Sequence, residues 1–260
     1  MDNNIKFYSI FEKPFVVDGL LNPSPSNGFR RVPDSIADCM IDYVKEKTLH
    51  TNTAGGRVRF CTDAKTVTIK AKLSPFEYKI DLNSILAYDF DLYRKSGDKF
   101  YYETNFHSFE GKPLQEEMLE TREIRDSGMR EYILYFPCYG NVYSLEIGFP
   151  EDAKVEAPSK YNFEKPIVFA GSSITQGAAA CRPGLSYVSR TCRNLNCDFI
   201  NLGFAGSFQA EEEVMKYIAS LPMCAFVYDY DHNAPDPEHL EKTHRRGYEI
   251  IRKAHPDIPI

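Results

Sequence analysis

Three short stretches carry residue types suited to acyl transfer. They are Gly171-Ser172-Ser173-Ile174-Thr175, Asn201-Leu202-Gly203-Phe204-Ala205-Gly206-Ser207 and Asp229-Tyr230-Asp231-His232-Asn233-Ala234-Pro235. Acyl transfer needs a nucleophile, a base and donors for the oxyanion that develops on the carbonyl. Ser173 offers a hydroxyl, Gly206 a backbone N–H in a turn, and Asn233 a side-chain amide. Taken singly, each has a plainer reading. Ser173 could be a helix cap, Gly206 a tight turn, and Asn233 a cap or Asx-turn before Ala234-Pro235. Each stretch, however, follows an apolar run of strand type: Ile167–Ala170, Phe199–Leu202 and Cys224–Tyr230. In a parallel sheet the three would meet at the carboxyl edge, where open α/β folds bind ligands. Ser173 is not on a G-x-S-x-G elbow, because Thr175 stands where the second Gly belongs.

The elements that must position these residues begin at Pro166. Ile167–Ala170 is a continuous apolar run, as expected of a parallel strand buried on both faces. Pro183-Gly184 opens a helix with Leu185, Val188, Cys192 and Leu195 on one face. Glu211–Ser220 and Pro237–Ala254 are further helices, the second with Leu240, Gly247, Ile251 and Ala254 inward and with Glu238–Lys242 and Glu241–Arg245 pairs outward. Asp257-Ile258-Pro259-Ile260 reads as the entry to a fourth strand. Alternating strands and helices imply a parallel, right-handed α/β sheet. A sheet stopping there leaves its third strand, or a stub of the fourth, as an exposed apolar edge, and a homo-oligomer is one way to cover it.

Before Pro166 the pattern has period two. Residues 1–30 read as an irregular lead-in with one short strand at Phe15–Val17, and a helix capped by Asp34 follows. Val58 and Phe60, then Val67, Ile69 and Ala71, alternate with polar residues, with Asp63-Ala64-Lys65 as a hairpin-like connection. Ala87–Arg94, Lys99–Asn105, Glu131–Phe136 and Val142–Phe149 are further strands, residues 110–129 a polar loop, and Glu151–Lys165 a Pro-containing linker. Several short strands joined by turns indicate an antiparallel sandwich. The division is therefore a β-sandwich with linker over 1–160 and an α/β domain over 161–260.

Bulk properties narrow the partners. The 260 residues carry a net charge of −6 with no block of Lys or Arg, which argues against nucleic acid or an anionic membrane. No apolar run reaches the length of a membrane span, and the first residues do not form a signal peptide. An odd count of 7 Cys without a tight C-x-x-C pair favours reduced thiols, hence a cytoplasmic location. Asp229, Asp231, His232 and His239 lack the assured convergence a metal site requires, so no metal or cofactor is expected.

Together the three blocks resemble the SGNH (GDSL-type) hydrolase family. Gly171-Ser172-Ser173-Ile174 matches its G-D-S-I block with Ser172 in place of the Asp, Asn201 to Gly206 matches N-x-x-x-x-G, and Asp231-His232-Asn233-Ala234 keeps the Asn of G-x-N-D. Upstream, Asp89-Phe90-Asp91-Leu92-Tyr93 is similar to the G-x-D-L-Y motif of the sandwich preceding the hydrolase domain in some bacterial members, with Asp89 replacing the Gly. The run Thr53–Phe60 is similar to the same module.

The resemblance implies a flavodoxin-like α/β/α hydrolase domain, C-terminally incomplete, behind a β-sandwich. It implies an esterase acting on small-molecule or carbohydrate esters, with Ser173 as nucleophile and Ser173 N–H, Gly206 N–H and Asn233 as oxyanion donors. The alternative is a degenerate homologue that binds such ligands without turnover. Ser172, Arg182 and His232 are the expected pocket residues. The family's D-x-x-H base region falls beyond Ile260. The strings Asp229–His232 and Asp236–His239 have the right form in the wrong context, the first at a strand end and the second opening a helix.

Overall fold

The computed structural model describes residues 4–74, 84–107, 117–125 and 128–260. The front part is a sandwich of two antiparallel sheets. One contains β1 (Ile5–Ser9), β4 (Thr66–Leu73), β7 (Met118–Glu123) and β9 (Val142–Pro150) in the order β1-β9-β4-β7. The other contains β2 (Val16–Asp18), β3 (Arg57–Thr62), β5 (Phe90–Ser96), β6 (Lys99–Phe106), β8 (Arg130–Tyr135) and β10 (Val155–Glu156). Its order is β10-β3-β8-β5-β6, with β2 also on β3. Val58, Phe60, Val67, Ile69, Phe90 and Ile147 fill the space between them, each wholly buried.

The sandwich departs from several expectations. Asp63-Ala64-Lys65 is not a hairpin, because β3 and β4 lie in different sheets. The apolar stripes of both strands face one core, and crossing between sheets is what lets them do so. Thr62 Oγ1 takes the Ala64 N–H at 3.1 Å to fix the bend. The lead-in contains β1, whose Ile5 and Phe7 are exposed, so no buried stripe announced it. The helix expected from Asp34 is two short ones, α1 (Asp34–Ala37) and α2 (Tyr43–Glu46), and Pro33 rather than Asp34 holds the cap position. Within the strand expected at 87–94, α3 (Ser84–Tyr88) precedes β5. The polar stretch 110–129 contains β7, an edge strand with one face outward, while 110–116 and 126–127 lie outside the described residues. The linker contains β10, paired to β3.

The α/β part has a parallel sheet of β11 (Ile167–Gly171), β12 (Phe199–Gly203) and β13 (Ala225–Asp229) in the order β12-β11-β13. Its helices are α4 (Ser173–Gln176), α5 (Tyr187–Leu195), α6 (Glu212–Ser220) and α7 (Pro237–Ala254). Side chains alternate across β11. Ile167 and Phe169 pack with Val188 and Cys192 of α5 and with Tyr93, Ile133 and Tyr135 of the sandwich. Val168 and Ala170 pack with Val214, Ile218 and Ile251, and also with Ala37, Met40 and Val44 of the front helices. Both faces are thus covered, as a parallel sheet requires.

Helix details also differ from expectation. Pro183–Leu185 is a 3-10 turn, and α5 begins after Ser186, whose Oγ accepts the Ser189 N–H at 3.2 Å. Leu195 and Ala254 face outward. Glu238 and Lys242 pair at 2.7 Å as expected, but Arg245 pairs with Glu249 instead of Glu241. At the edge of β13, Phe226 donates its N–H to Pro259 O at 3.0 Å, and Ile258 packs on the core, so the chain's own tail lies over part of the apolar edge. Among the described residues no helix is long and apolar enough to cross a membrane.

Candidate active site

The central strand delivers the serine pair. Gly171 is required at its end, because a Cβ there would stand 1.9 Å from Asp229 O. Ser172 is extended (φ −78°, ψ −169°), caps α4 and accepts the Ile174 N–H on its Oγ at 3.2 Å. The capping job therefore falls to Ser172, which is fully buried and has its hydroxyl committed to the cap rather than open to a ligand. Ser173 occupies the first helical position, half-exposed, and neither its hydroxyl nor its N–H is hydrogen-bonded among the described residues. Its carbonyl is held three times, by Gly177 N–H (3.0 Å), Ala178 N–H (2.8 Å) and the Tyr139 hydroxyl (3.0 Å).

The two flanking loops come level with it. In register, Gly171 lies beside Gly203 on one side and Asp229 on the other. Gly206 is exposed, its φ of +63° being a conformation that favours glycine, and its N–H has no partner among the described residues. Asn233, in the 3-10 turn Asp231–Asn233, donates one amide hydrogen to Phe204 O at 2.9 Å, which leaves the second uncommitted. The structure thus brings Ser173, Gly206 and Asn233 to one sheet edge, where the Ser173 hydroxyl and N–H, the Gly206 N–H and one Asn233 amide hydrogen are unbonded among the described residues.

The remaining site candidates sit differently. His232 is exposed and makes no hydrogen bond among the described residues. Asp229 Oδ2 accepts Thr175 Oγ1 at 3.3 Å, so that string serves the strand ends. Asp236 caps α7 through His239 N–H, and His239 Nε2 meets Gln209 O at 2.9 Å. No histidine among the described residues bonds to Ser173. Arg182 is drawn to the sandwich: its Nε lies 3.3 Å from Asp91 Oδ2, and its guanidinium is 3.9 Å from the Tyr102 ring centre. Among the described residues no group of three or more His, Cys, Asp or Glu is placed to hold a metal ion.

Sequence reasoning missed the groups that tie the sandwich to this edge. Gln176, fully buried, accepts Ala205 N–H at 2.9 Å and donates to Asn52 Oδ1 (3.2 Å) and Cys138 O (3.1 Å). Asp91 Oδ2 accepts the Gly184 N–H at 3.0 Å, while its Oδ1 is buried without a partner among the described residues. Burial raises the Asp91 carboxyl to about 6, against the pull of Gly184 N–H and Arg182. Asp89 is buried beside it and is pushed up to about 8, with Asn105 Nδ2 at 3.0 Å and His107 Nδ1 at 2.5 Å from its Oδ2. The D-L-Y motif was the one available signal for Asp91, whereas nothing local marks Gln176.

Comparison with known proteins bears on the family and the fold. Residues 5–155 match the model for the N-terminus of SGNH-hydrolase-type esterases (GxDLY), and residues 164–260 match the GDSL-like lipase/acylhydrolase family. A search of curated proteins finds no match. Among solved structures, a protein of Bacteroides ovatus named as a GDSL-like lipase is 29% identical over 99% of this chain and 73% of its own, with a TM-score of 0.83. A salicylyl-acyltransferase from a tetracycline biosynthetic pathway is 16% identical (98% of this chain, 71% of its own, TM-score 0.76). A family two carbohydrate esterase from Cellvibrio japonicus is 11% identical (98% and 77%, TM-score 0.56). At those identities the last two share the fold.

Proposed function

The chain belongs to the SGNH-hydrolase-type esterase family with a GxDLY front module, and from that premise we propose that it is a serine esterase for acyl groups on carbohydrates or small molecules. The observation that carries this reading is the placement of an unbonded Ser173 hydroxyl between the unbonded Gly206 N–H and the half-committed Asn233 amide. Ser173 Oγ attacks the acyl carbonyl, and the Oγ–C bond forms as the C=O electron pair moves onto oxygen. Ser173 N–H, Gly206 N–H and Asn233 Nδ2 receive that oxyanion. Collapse expels the alcohol and leaves an acyl-serine, which water cleaves to the acid. The net reaction is ester plus water to acid plus alcohol, so protons balance through solvent or a base. One such oxyanion donor is worth about 2.7–4 kcal/mol of barrier.

A second reading is ligand binding without turnover. It is favoured by the lack of any histidine bonded to Ser173 among the described residues, since a serine without a base is a weak nucleophile. A fluorophosphonate probe and p-nitrophenyl acetate separate the two. The esterase reading expects adduct on Ser173 and acetate release that Ser173→Ala abolishes. No adduct and no release from a chain that still binds an acylated sugar would establish the second reading.

A further inference from the structure

Arg31 is completely buried, yet no carboxylate among the described residues pairs with its guanidinium. Its partners are backbone carbonyls. Nε donates to Asn52 O at 3.0 Å, Nη1 to Gly203 O at 2.5 Å and more weakly to Asn201 O at 3.4 Å, and Nη2 to Leu49 O. The face of the guanidinium lies 4.3 Å from the centre of the Phe204 ring. Burial pulls this group down to about 9. A cation kept in a dry interior without a counter-ion is expensive, and an apolar side chain of similar volume often serves stability as well or better. The reason for Arg31 is therefore to be sought in what it holds.

It holds the end of β12 and the loop that follows. From Gly203 to Ala205 every backbone polar atom is bonded. Gly203 N–H goes to Asn201 Oδ1, and Gly203 O takes Arg31. Phe204 N–H goes to Gly171 O, and Phe204 O takes Asn233 Nδ2. Ala205 N–H goes to Gln176 Oε1, and Ala205 O takes the Ser207 hydroxyl. The next donor, Gly206 N–H, is the first left unbonded among the described residues.

We propose that Arg31, carried by the front part of the chain, is the positioning residue of the oxyanion loop: by holding the Asn201 and Gly203 carbonyls and lying on Phe204, it fixes the loop so that Gly206 N–H stays available to the substrate oxyanion. The proposal rests on the reading of Ser173 as nucleophile. A positive charge with no counter-ion behind the loop also favours negative charge in front of it, because in a low-dielectric setting such a field is weakly screened.

The test compares wild type with Arg31→Met and Arg31→Lys. Hydrogen exchange of peptides spanning residues 203–208 reads the loop, and the rate of fluorophosphonate labelling at Ser173 reads the site, both well below each variant's melting temperature. Losing bonds of this charged kind should speed local exchange and slow labelling by about 10–100-fold in Arg31→Met, with exchange in α7 unchanged. Arg31→Lys keeps the charge, but its compact ammonium does not span the same four carbonyls, so it should fall between the two. Wild-type exchange and labelling in either folded variant overturns the proposal, and the Lys variant decides if the Met variant does not fold. If wild type is not labelled at all, the nucleophile reading fails, while the exchange comparison still decides whether Arg31 fixes the loop.

Discussion

The hydroxyl of Tyr139 donates to the backbone carbonyl of Ser173 at 3.0 Å. A residue from the turn between β8 and β9 of the sandwich thus holds the turn that presents Ser173, the proposed nucleophile. Tyr139 is nearly buried, and burial raises its phenol above the usual range, so it remains a donor at any ordinary pH. Because Gly177 and Ala178 also bond that carbonyl, Tyr139→Phe should cost only about 1 kcal/mol of stability. Urea unfolding measures this. A loss several times larger would mean that the phenol does more than this one bond.

Asn233 has two tasks at one edge, the bond to Phe204 O and the proposed donor to the oxyanion. Asn233→Ala is expected to lower kcat by about 100–1000-fold, the range of a lost oxyanion donor, with little change in KM for p-nitrophenyl acetate. A rise in KM at constant kcat would instead assign Asn233 to ground-state binding.

Gly203 has no room for a side chain. A Cβ there would lie 2.2 Å from Gln176 N and 2.6 Å from Thr175 C, both backbone atoms of α4. Gly203→Ala must push β12 away from α4, and overpacking of this kind costs on the order of 1–3 kcal/mol or more. Thermal unfolding should show a lower melting temperature and labelling of Ser173 should slow. An unchanged melting temperature would show that the two elements can part freely.

Asp91 gives a pH signature. Its carboxyl moves from 3.8 to about 6 on folding, chiefly through burial. Between those values the folded chain holds a proton that the unfolded chain has released. The contribution is therefore fully present below pH 3.8 and is lost as pH rises through about 6. Asp91→Asn can keep the Gly184 and Arg182 contacts through its carbonyl oxygen and place its amide nitrogen where Oδ1 has no partner. The stability of wild type relative to this variant should fall between pH 4 and 7 by up to about 3 kcal/mol. A difference that is flat across that range would show that Asp91 is ionised throughout.

The sequence by itself determined where the candidate site residues stand along the chain and which strands carry them. Ile167–Ala170 reads as a strand buried on both faces because four consecutive apolar residues suit nothing exposed, and Gly171, Gly203 and Asp229 end level because parallel strands of matched length share a register. Patterns of this kind are local, with periods of two or about 3.6 residues, so they are visible in one dimension. Where the apolar stripe faced outward, as in β1, or where two strands met the same core from different sheets, as in β3 and β4, the local pattern misled.

What only the tertiary structure decided is how the site is held. The division of labour between Ser172 and Ser173 depends on which hydroxyl the turn buries. Gln176 reaches Asn52 across 124 positions, and Arg31 reaches Gly203 across 172. Arg31 stands beside Arg30 just after the lead-in, and nothing adjacent in sequence marks it as the buried one of the two. Its partners are backbone carbonyls, which every residue possesses, and only packing chooses among them.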